Sequence, residues 1–103
     1  MEQSIIRKAV FTDLEQVCEI EADSINSWSY NQFAEELDRA FSRFIVAERS
    51  GIITGYAIAW IIAGELQLNS IAVKKSYRRK GIGRQILTSL IEDNNSESIT
   101  SVF

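Results

Sequence analysis

The spacing of hydrophobic and polar residues predicts a chain that mixes strands and helices. Four segments have the length and the apolar content of strands: residues 4–10, 44–47, 53–62 and 65–73. The segment 53–62 is apolar on both faces, which is typical of a strand in the middle of a sheet. Ser50-Gly51 and Ala63-Gly64 are turn signals on either side of it. We therefore expect a central sheet built from strands with short connections.

Polar residues mark where the first two helices start. Thr12 and Glu15 fit a capping box with Thr12 as the N-cap, which predicts a helix from residue 13 to about residue 23. Ser29 and Gln32 repeat the pattern ahead of a second helix.

A third helix follows the last central strand, because five apolar residues share one helical face: Ile82, Ile86, Leu87, Leu90 and Ile91. Residues 93–96 should end this helix, and residues 98–103 predict one more strand. The whole order is that of a mixed α+β protein.

Composition and charge narrow the class of protein. The chain has 103 residues, which suits a single domain over residues 1–103, and 46% of them are hydrophobic. There is no histidine, which excludes a histidine-based triad or metal site, and a single cysteine, Cys18, rules out an internal disulfide. Residues 1–10 lack the layout of a signal peptide, and the longest apolar run, 56–63, is too short to span a bilayer. We expect a cytoplasmic protein that does not enter the membrane.

Positive charge is concentrated in one loop, within the sequence VKKSYRRKGIGRQIL. Six of the eleven basic residues lie between Lys74 and Arg84, and the rest of the chain holds five basic and 14 acidic residues. Gly81 and Gly83 allow backbone amides to approach a ligand closely, and the helix that follows adds unpaired N–H groups. The combination predicts an anion site for phosphate or pyrophosphate, with a solvated basic turn as the plain alternative. Nucleic acid is not the expected ligand, because the remaining surface is acidic.

The loop fits one phosphate-binding pattern out of three. A Walker A motif is absent, and a dinucleotide fingerprint would need a small residue where Ile86 stands. The segment from Arg78 to Gly83 fits [Q/R]-x-x-G-x-[G/A]. In this form it resembles the acetyl-CoA pyrophosphate loop of the GNAT-type N-acetyltransferases. The element order is also similar to that family, which implies an α+β fold with a mostly antiparallel sheet flanked by helices. The resemblance implies that the fold is cut short in the strand after the third helix.

A second stretch is similar to one subfamily. Ser27-Trp28-Ser29, with Phe33 beyond it, looks like the P-W-S-x-x-x-F stretch of RimI-like ribosomal-protein alanine N-acetyltransferases, with Ser27 in place of proline. The segment LNSIAVKKSYRRKGIGRQIL is similar to that subfamily too. The resemblance implies an acetyl-CoA-dependent enzyme that acts by direct attack on the thioester. Its acceptor would be a protein N-terminal amine, such as that of a ribosomal protein, or a similar primary amine.

The family pattern implies a set of cofactor-binding residues. The last three residues of the fourth strand would contact the pantetheine arm, and the loop would hold the pyrophosphate through its amides and charges. Asn69 and Ser70 suit a bulge in that strand. The implied residues are Ile71, Ala72, Val73, Arg78, Arg79, Lys80, Gly81, Ile82, Gly83 and Arg84.

Catalytic residues cannot be transferred in the same way. The family's glutamate and tyrosine would fall at or beyond Phe103, so the general base and acid are unknown. Glu65 is one candidate base, and an ordinary strand-end carboxylate is the alternative. Trp28 either lines the acceptor groove or packs at the helix entry. Cys18 is expected to be a buried structural residue.

Two functions therefore remain open. The first is a working N-acetyltransferase, and the second is a truncated, catalytically incompetent domain that binds acetyl-CoA or a partner. A truncated sheet would leave a strand edge open. We expect residues 98–103 to be frayed or to pair with a second copy in a homodimer.

Overall fold

The computed structural model describes residues 4–22, 28–93 and 101–102. Within these residues the chain forms five strands and three α-helices, which confirms the mixed α+β layout. In chain order they are β1 (Ile5–Lys8), α1 (Leu14–Glu21), α2 (Tyr30–Asp38), β2 (Ser42–Arg49), β3 (Ile52–Ile62), β4 (Glu65–Val73), α3 (Ile82–Asp93) and β5 (Ser101–Val102). Short 3-10 turns lie at Phe11–Asp13 and Lys75–Tyr77. No helix in this described part of the chain is long and apolar enough to cross a membrane.

The strands form one sheet in the order β1-β2-β3-β4-β5. The first four are antiparallel to their neighbours, and β5 is parallel to β4. Ser101 lies opposite Glu65 and Val102 opposite Leu66, so β5 pairs with the start of β4 only, as far as the described residues show. Within the described residues, the outer edge of β4 after Leu66 is therefore not paired with another strand.

This pairing corrects one prediction. Ser101 and Val102 are neither frayed nor dependent on a second copy, because they pair with β4 of the same chain. Residues 94–100 and 103, which include the rest of the predicted strand and most of the predicted helix break, lie outside the described residues. The predicted homodimer through this border of the sheet stays a prediction.

The two faces of the sheet carry side chains of different size. On the face covered by α1 and α2, Tyr56 and Ile58 of β3 are buried with aromatic residues from α2 and β2. On the other face, Ala57 and Ala59 are buried against α3. Gly55 is so close to α3 that an added Cβ would meet Ile86 Cδ1 at 3.0 Å. Small residues on one face thus allow α3, and with it the glycine loop, to lie close to the sheet.

The two predicted capping boxes have different outcomes. Ser29 caps α2 as expected: its Oγ accepts from the Gln32 amide at 3.2 Å, and its amide donates to Gln32 Oε1 at 2.7 Å. Thr12 is not an N-cap, because it lies inside the 3-10 turn that precedes α1. Asp13 takes the polar role instead, since its carboxylate accepts from the Val10 amide at 2.8 Å.

The contacts of Arg7 with Asp13 explain why Asp13, and not Thr12, has the polar role before α1. Arg7 donates to both carboxylate oxygens of Asp13, at 2.8 and 2.9 Å, and also to Glu48 on β2. This ion pair holds the pKa of Asp13 below its usual range, chiefly through the hydrogen bonds from Arg7. The link between β1 and α1 is therefore fixed by charges from three parts of the chain.

Candidate active site

The glycine loop has an unusual backbone path. Arg79 and Gly81 both lie in the left-handed region, with φ of 66° and 80°. Such a conformation is costly for a residue with a Cβ, and alternating conformations of this kind turn successive amides towards one point. Arg78 steadies the loop, because its Nε donates to the Val73 carbonyl at 3.0 Å.

The start of α3 presents free amides next to open space. The first hydrogen bond of the helix joins the Gln85 amide to the Gly81 carbonyl at 3.0 Å, so the amides of Ile82, Gly83 and Arg84 come before it and have no partner within the helix. A Cβ built on Gly81 would meet nothing within 4 Å, and one on Gly83 would meet only Val73 Cγ2, at 3.7 Å. The space above these glycines is large enough for an anion to reach the amides.

The basic side chains near the start of α3 form no salt bridge with an acidic side chain among the described residues. Within the part of the chain that the structure describes, the salt bridges are made by Arg7 and Arg39, not by the six basic residues of the loop region. Arg78, Arg79, Lys80 and Arg84 are exposed. Their charge therefore remains available to attract a polyanionic ligand.

A bulge in β4 opens the next part of the site. Ser70 lies opposite Ile58 and Leu68 opposite Ala59, so Asn69 is the extra residue, and the predicted bulge is confirmed. A cavity of about 350 Å³ lies at this edge. Its walls are residues 68–72 of β4 together with Glu21 and Trp28.

The structure brings several predicted site residues together here. Ile71 and Ala72 line the cavity, while Val73 ends β4 with its carbonyl held by Arg78. Trp28 lines the cavity and also stacks on Phe33 with ring centroids 5.5 Å apart, so its packing is observed and its part in an acceptor groove stays a prediction. Ser27, its predicted neighbour in the subfamily pattern, lies outside the described residues.

Glu65 stands apart from this group. It begins β4, opposite Ile62, and is not among the residues that line the cavity. Ile71 is six positions further along the strand, which is about 20 Å in an extended conformation. As a candidate base it stays a prediction, and its position gives it no contact with the cavity at the bulge.

A buried polar cluster next to the cavity was not predicted. Glu21, in the last turn of α1, is 3% exposed and accepts a hydrogen bond from the Tyr56 hydroxyl. The same hydroxyl lies 2.8 Å from Ser70 Oγ on β4. Burial, and then the hydrogen bond to Glu21, raise the pKa of Tyr56, so the phenol keeps its proton at neutral pH.

The sequence did contain a pattern that indicates the burial of Glu21. Leu14, Val17 and Glu21 follow the spacing of a single helical face, and all three are buried. A carboxylate at the end of an apolar stripe predicts a buried charge with partners. Nothing in the local sequence, however, indicates that those partners come from β3 and β4.

Metal chemistry has no support in the described residues. Over residues 4–22, 28–93 and 101–102, no three histidine, cysteine, aspartate or glutamate side chains are grouped so that they could hold an ion. Cys18 is partly buried, and burial raises the pKa of its thiol. The polar groups that the structure does place at the site are the amides of α3, the basic side chains and the Glu21 cluster.

Comparison with known proteins identifies the family. The model of the acetyltransferase (GNAT) family matches residues 9–102. The chain belongs to the GNAT family. This result confirms the resemblance inferred from the glycine loop, as well as the fold expected from it.

Individual relatives lie close to the RimI-like subfamily. The GNAT chain is 32% identical, over 92 residues, to a Bacillus subtilis (strain 168) protein provisionally named a ribosomal protein bS18-alanine N-acetyltransferase. The match covers 87% of this chain and 61% of that protein. The chain thus spans about three fifths of the length of this relative.

Solved structures agree with this placement. The crystal structure of the ribosomal-protein-S18-alanine N-acetyltransferase from Escherichia coli superposes with a TM-score of 0.87 at 26% identity, covering 97% of this chain and 64% of that one. The PaiA N-acetyltransferase from Thermoplasma acidophilum, solved in complex with coenzyme A, has a TM-score of 0.82 at 22% identity, covering 94% and 75%. The second likeness shows a shared fold.

Proposed function

We propose that this GNAT chain is an acetyl-CoA-dependent enzyme that acetylates the N-terminal amine of a protein by direct attack on the thioester. One observation carries the proposal. The amides at the start of α3, the outer edge of β4 and the cavity at its bulge are consecutive along the chain, and nothing among the described residues covers that edge beyond Leu66. A long ligand with an anionic end and a reactive end fits such an arrangement.

The residues present fit acetyl-CoA. The pyrophosphate would lie at the amides of Ile82, Gly83 and Arg84, where the open space over the glycines gives access and the basic side chains supply charge. The pantetheine arm would run along Ile71 and Ala72, whose strand edge offers backbone groups. When bound, acetyl-CoA supplies the activated acetyl group.

The cavity at the bulge suits the acceptor amine. Trp28 lines the cavity and would offer an apolar surface for the first side chain of a peptide. The Bacillus subtilis and Escherichia coli relatives act on ribosomal protein S18 according to their names, which supports a protein N-terminus that begins with alanine. An acceptor of that kind would place the reaction in the cytoplasm.

Acetyl transfer to a peptide tests the proposal. The purified chain is incubated with acetyl-CoA and a short peptide that begins with alanine, and mass spectrometry follows the product. We expect the peptide to gain one acetyl group, whereas the same peptide with a blocked N-terminus should gain none. A chain that binds acetyl-CoA but leaves the free peptide unchanged would contradict the proposal and support a domain that only binds the ligand.

A further inference from the structure

A row of three hydrogen-bonding side chains joins the cavity to a buried carboxylate. Ser70 stands in the cavity wall, and its Oγ lies 2.8 Å from the Tyr56 hydroxyl oxygen. Tyr56, which is fully buried, donates in turn to Glu21. Three separate elements, β4, β3 and α1, contribute one group each, so the row depends on the tertiary fold.

The number of protons fixes the direction of the row. An ionised carboxylate can only accept, and the Tyr56 hydroxyl has one proton, which it donates to Glu21. The contact between Tyr56 and Ser70 must then use the proton of Ser70. Ser70 also lines the cavity, so its oxygen has lone pairs left to accept a proton from a molecule bound there.

We propose that Ser70, Tyr56 and Glu21 form a proton relay for the acetyl transfer, an inference that rests on the proposed function. A neutral amine that attacks the acetyl carbon must lose one proton as its nitrogen forms the new bond. That proton passes to the Ser70 oxygen, the proton of Ser70 passes to Tyr56, and the proton of Tyr56 passes to Glu21. Each hydroxyl gives one proton and receives one, and Glu21 ends as a carboxylic acid.

The relay also supplies the proton that the leaving sulfur needs in the second half of the reaction. The carbon–sulfur bond breaks with its electron pair on sulfur, which leaves a thiolate. The proton on Glu21 then returns through Tyr56 and Ser70 to that sulfur, and the three residues regain their starting state. A single row thus serves as base and then as acid, with Ser70 touching the reactants and Glu21 storing the proton.

The surroundings of the row keep the proton within it. Tyr56 is packed against the rings of Phe33 and Phe44, whose centroids lie 5.5 and 6.1 Å from its own, so water has no access from that side. The other titratable group that acts on Tyr56 is Cys18 of α1, which also raises the tyrosine pKa. Ionised groups of β3 and β4 do not act on Tyr56 within the described residues.

Conservative substitutions in the full chain separate a relay from a structural network. Tyr56→Phe keeps the ring packing, Glu21→Gln keeps the size and an acceptor oxygen, and Ser70→Thr keeps the hydroxyl that Ser70→Ala removes. With saturating acetyl-CoA, kcat should fall by roughly 10²–10⁴-fold in Tyr56→Phe, Glu21→Gln and Ser70→Ala. Ser70→Thr should restore most of the rate, and the calorimetric Kd for acetyl-CoA should be unchanged in all four.

One further readout distinguishes the relay from a loss of structure. Ultraviolet titration of the phenols should show a lower pKa for Tyr56 in the same variant, because the carboxylate no longer opposes its ionisation. Glu19→Gln is the matched control, since it removes the same charge from an exposed position on α1 and should behave like the wild type.

Each outcome decides between the proposals. Folded variants of Tyr56 and Glu21 that keep the wild-type kcat would overturn the relay and leave the proposed function intact. Ser70→Thr as slow as Ser70→Ala, or an unchanged Tyr56 titration in Glu21→Gln, would overturn it as well. A wild-type chain that binds acetyl-CoA without transferring the acetyl group would overturn the proposed function, and the relay with it.

Discussion

Alanine at Gly55 and alanine at Gly83 should change stability in opposite directions. A Cβ at Gly55 would meet Ile86 Cδ1 at 3.0 Å and the Ala72 carbonyl oxygen at 3.1 Å. The side chain of Ile86 can turn, but the carbonyl belongs to the paired strand β4 and cannot yield without disturbing the sheet. A Cβ at Gly83 would meet only Val73, at 3.7 Å, which is an ordinary contact.

The expected magnitudes follow from these contacts. Overpacking at Gly55 should cost about 1–3 kcal/mol. The smaller entropy of the unfolded alanine chain offsets about 0.4–1 kcal/mol of that. For a mid-range overpacking cost of about 2 kcal/mol, the net loss is about 1–1.6 kcal/mol. Gly83 lies in α3 without a positive φ, so Gly83→Ala should gain up to about 1 kcal/mol through helix propensity.

Urea unfolding followed by circular dichroism measures both changes. With an m-value of about 2 kcal/mol/M, Gly55→Ala should lower the midpoint by roughly 0.5–1 M, and Gly83→Ala should raise it or leave it in place. Gly83→Ala should nevertheless bind acetyl-CoA more weakly, because its methyl group enters the space over the helix amides. A Gly55→Ala midpoint at or above that of the wild type would refute the close packing of α3 on the sheet.

Two further predictions concern the core and the response to acid. Asp13 has a folded pKa lowered by its hydrogen bonds from Arg7, so its stabilisation is complete above the unfolded value near 3.8 and is lost as pH falls below it. Asp13→Asn should therefore be less stable at neutral pH and lose less stability on acidification, and equal slopes in acid unfolding would contradict this. Phe33 is fully buried between the rings of Trp28 and Tyr56, and Phe33→Ala should cost about 3–5 kcal/mol in chemical unfolding; a loss below 1 kcal/mol would contradict its central place.

Periodicity predicted the elements whose packing is local. The doubly apolar segment 53–62 is the central strand β3, and the stripe that begins at Ile82 is the buried face of α3. The Ser29 cap was also predictable, since both of its hydrogen bonds span three residues. Ladder pairing extends β2 beyond the predicted 44–47 to Ser42–Arg49, because polar strand ends can pair as well as apolar ones.

Long-range polar contacts could not be predicted in this way. Glu36 is buried on α2 because Arg39 and Ser42 donate to it and Trp60 Nε1, from β3, donates at 2.9 Å. Asp13 is likewise positioned by Arg7, which also reaches Glu48 on another strand. Such partners lie far apart in sequence and meet only after the sheet has formed.

The candidate site also has one part that local sequence patterns predict and one part that depends on contacts between distant residues. The glycine loop is a local pattern, so the sequence alone indicated an anion site with its residues and its likeness to the GNAT family. The bulge followed from Asn69 and Ser70, two polar residues in an apolar strand. The Glu21 cluster escaped notice because its hydrogen bonds to Tyr56 and Ser70 join three elements.

Calorimetric titration with acetyl-CoA tests the central claim most directly, with the wild type, Gly83→Glu and Thr88→Glu measured side by side. Thr88→Glu is the charge-matched control, because it adds the same carboxylate to an exposed position about 7.5 Å further along α3. The wild type and the control should bind, and Gly83→Glu should show no binding heat while remaining folded. Equal affinity in all three proteins, or no binding to a folded wild type, would contradict a pyrophosphate site at the start of α3.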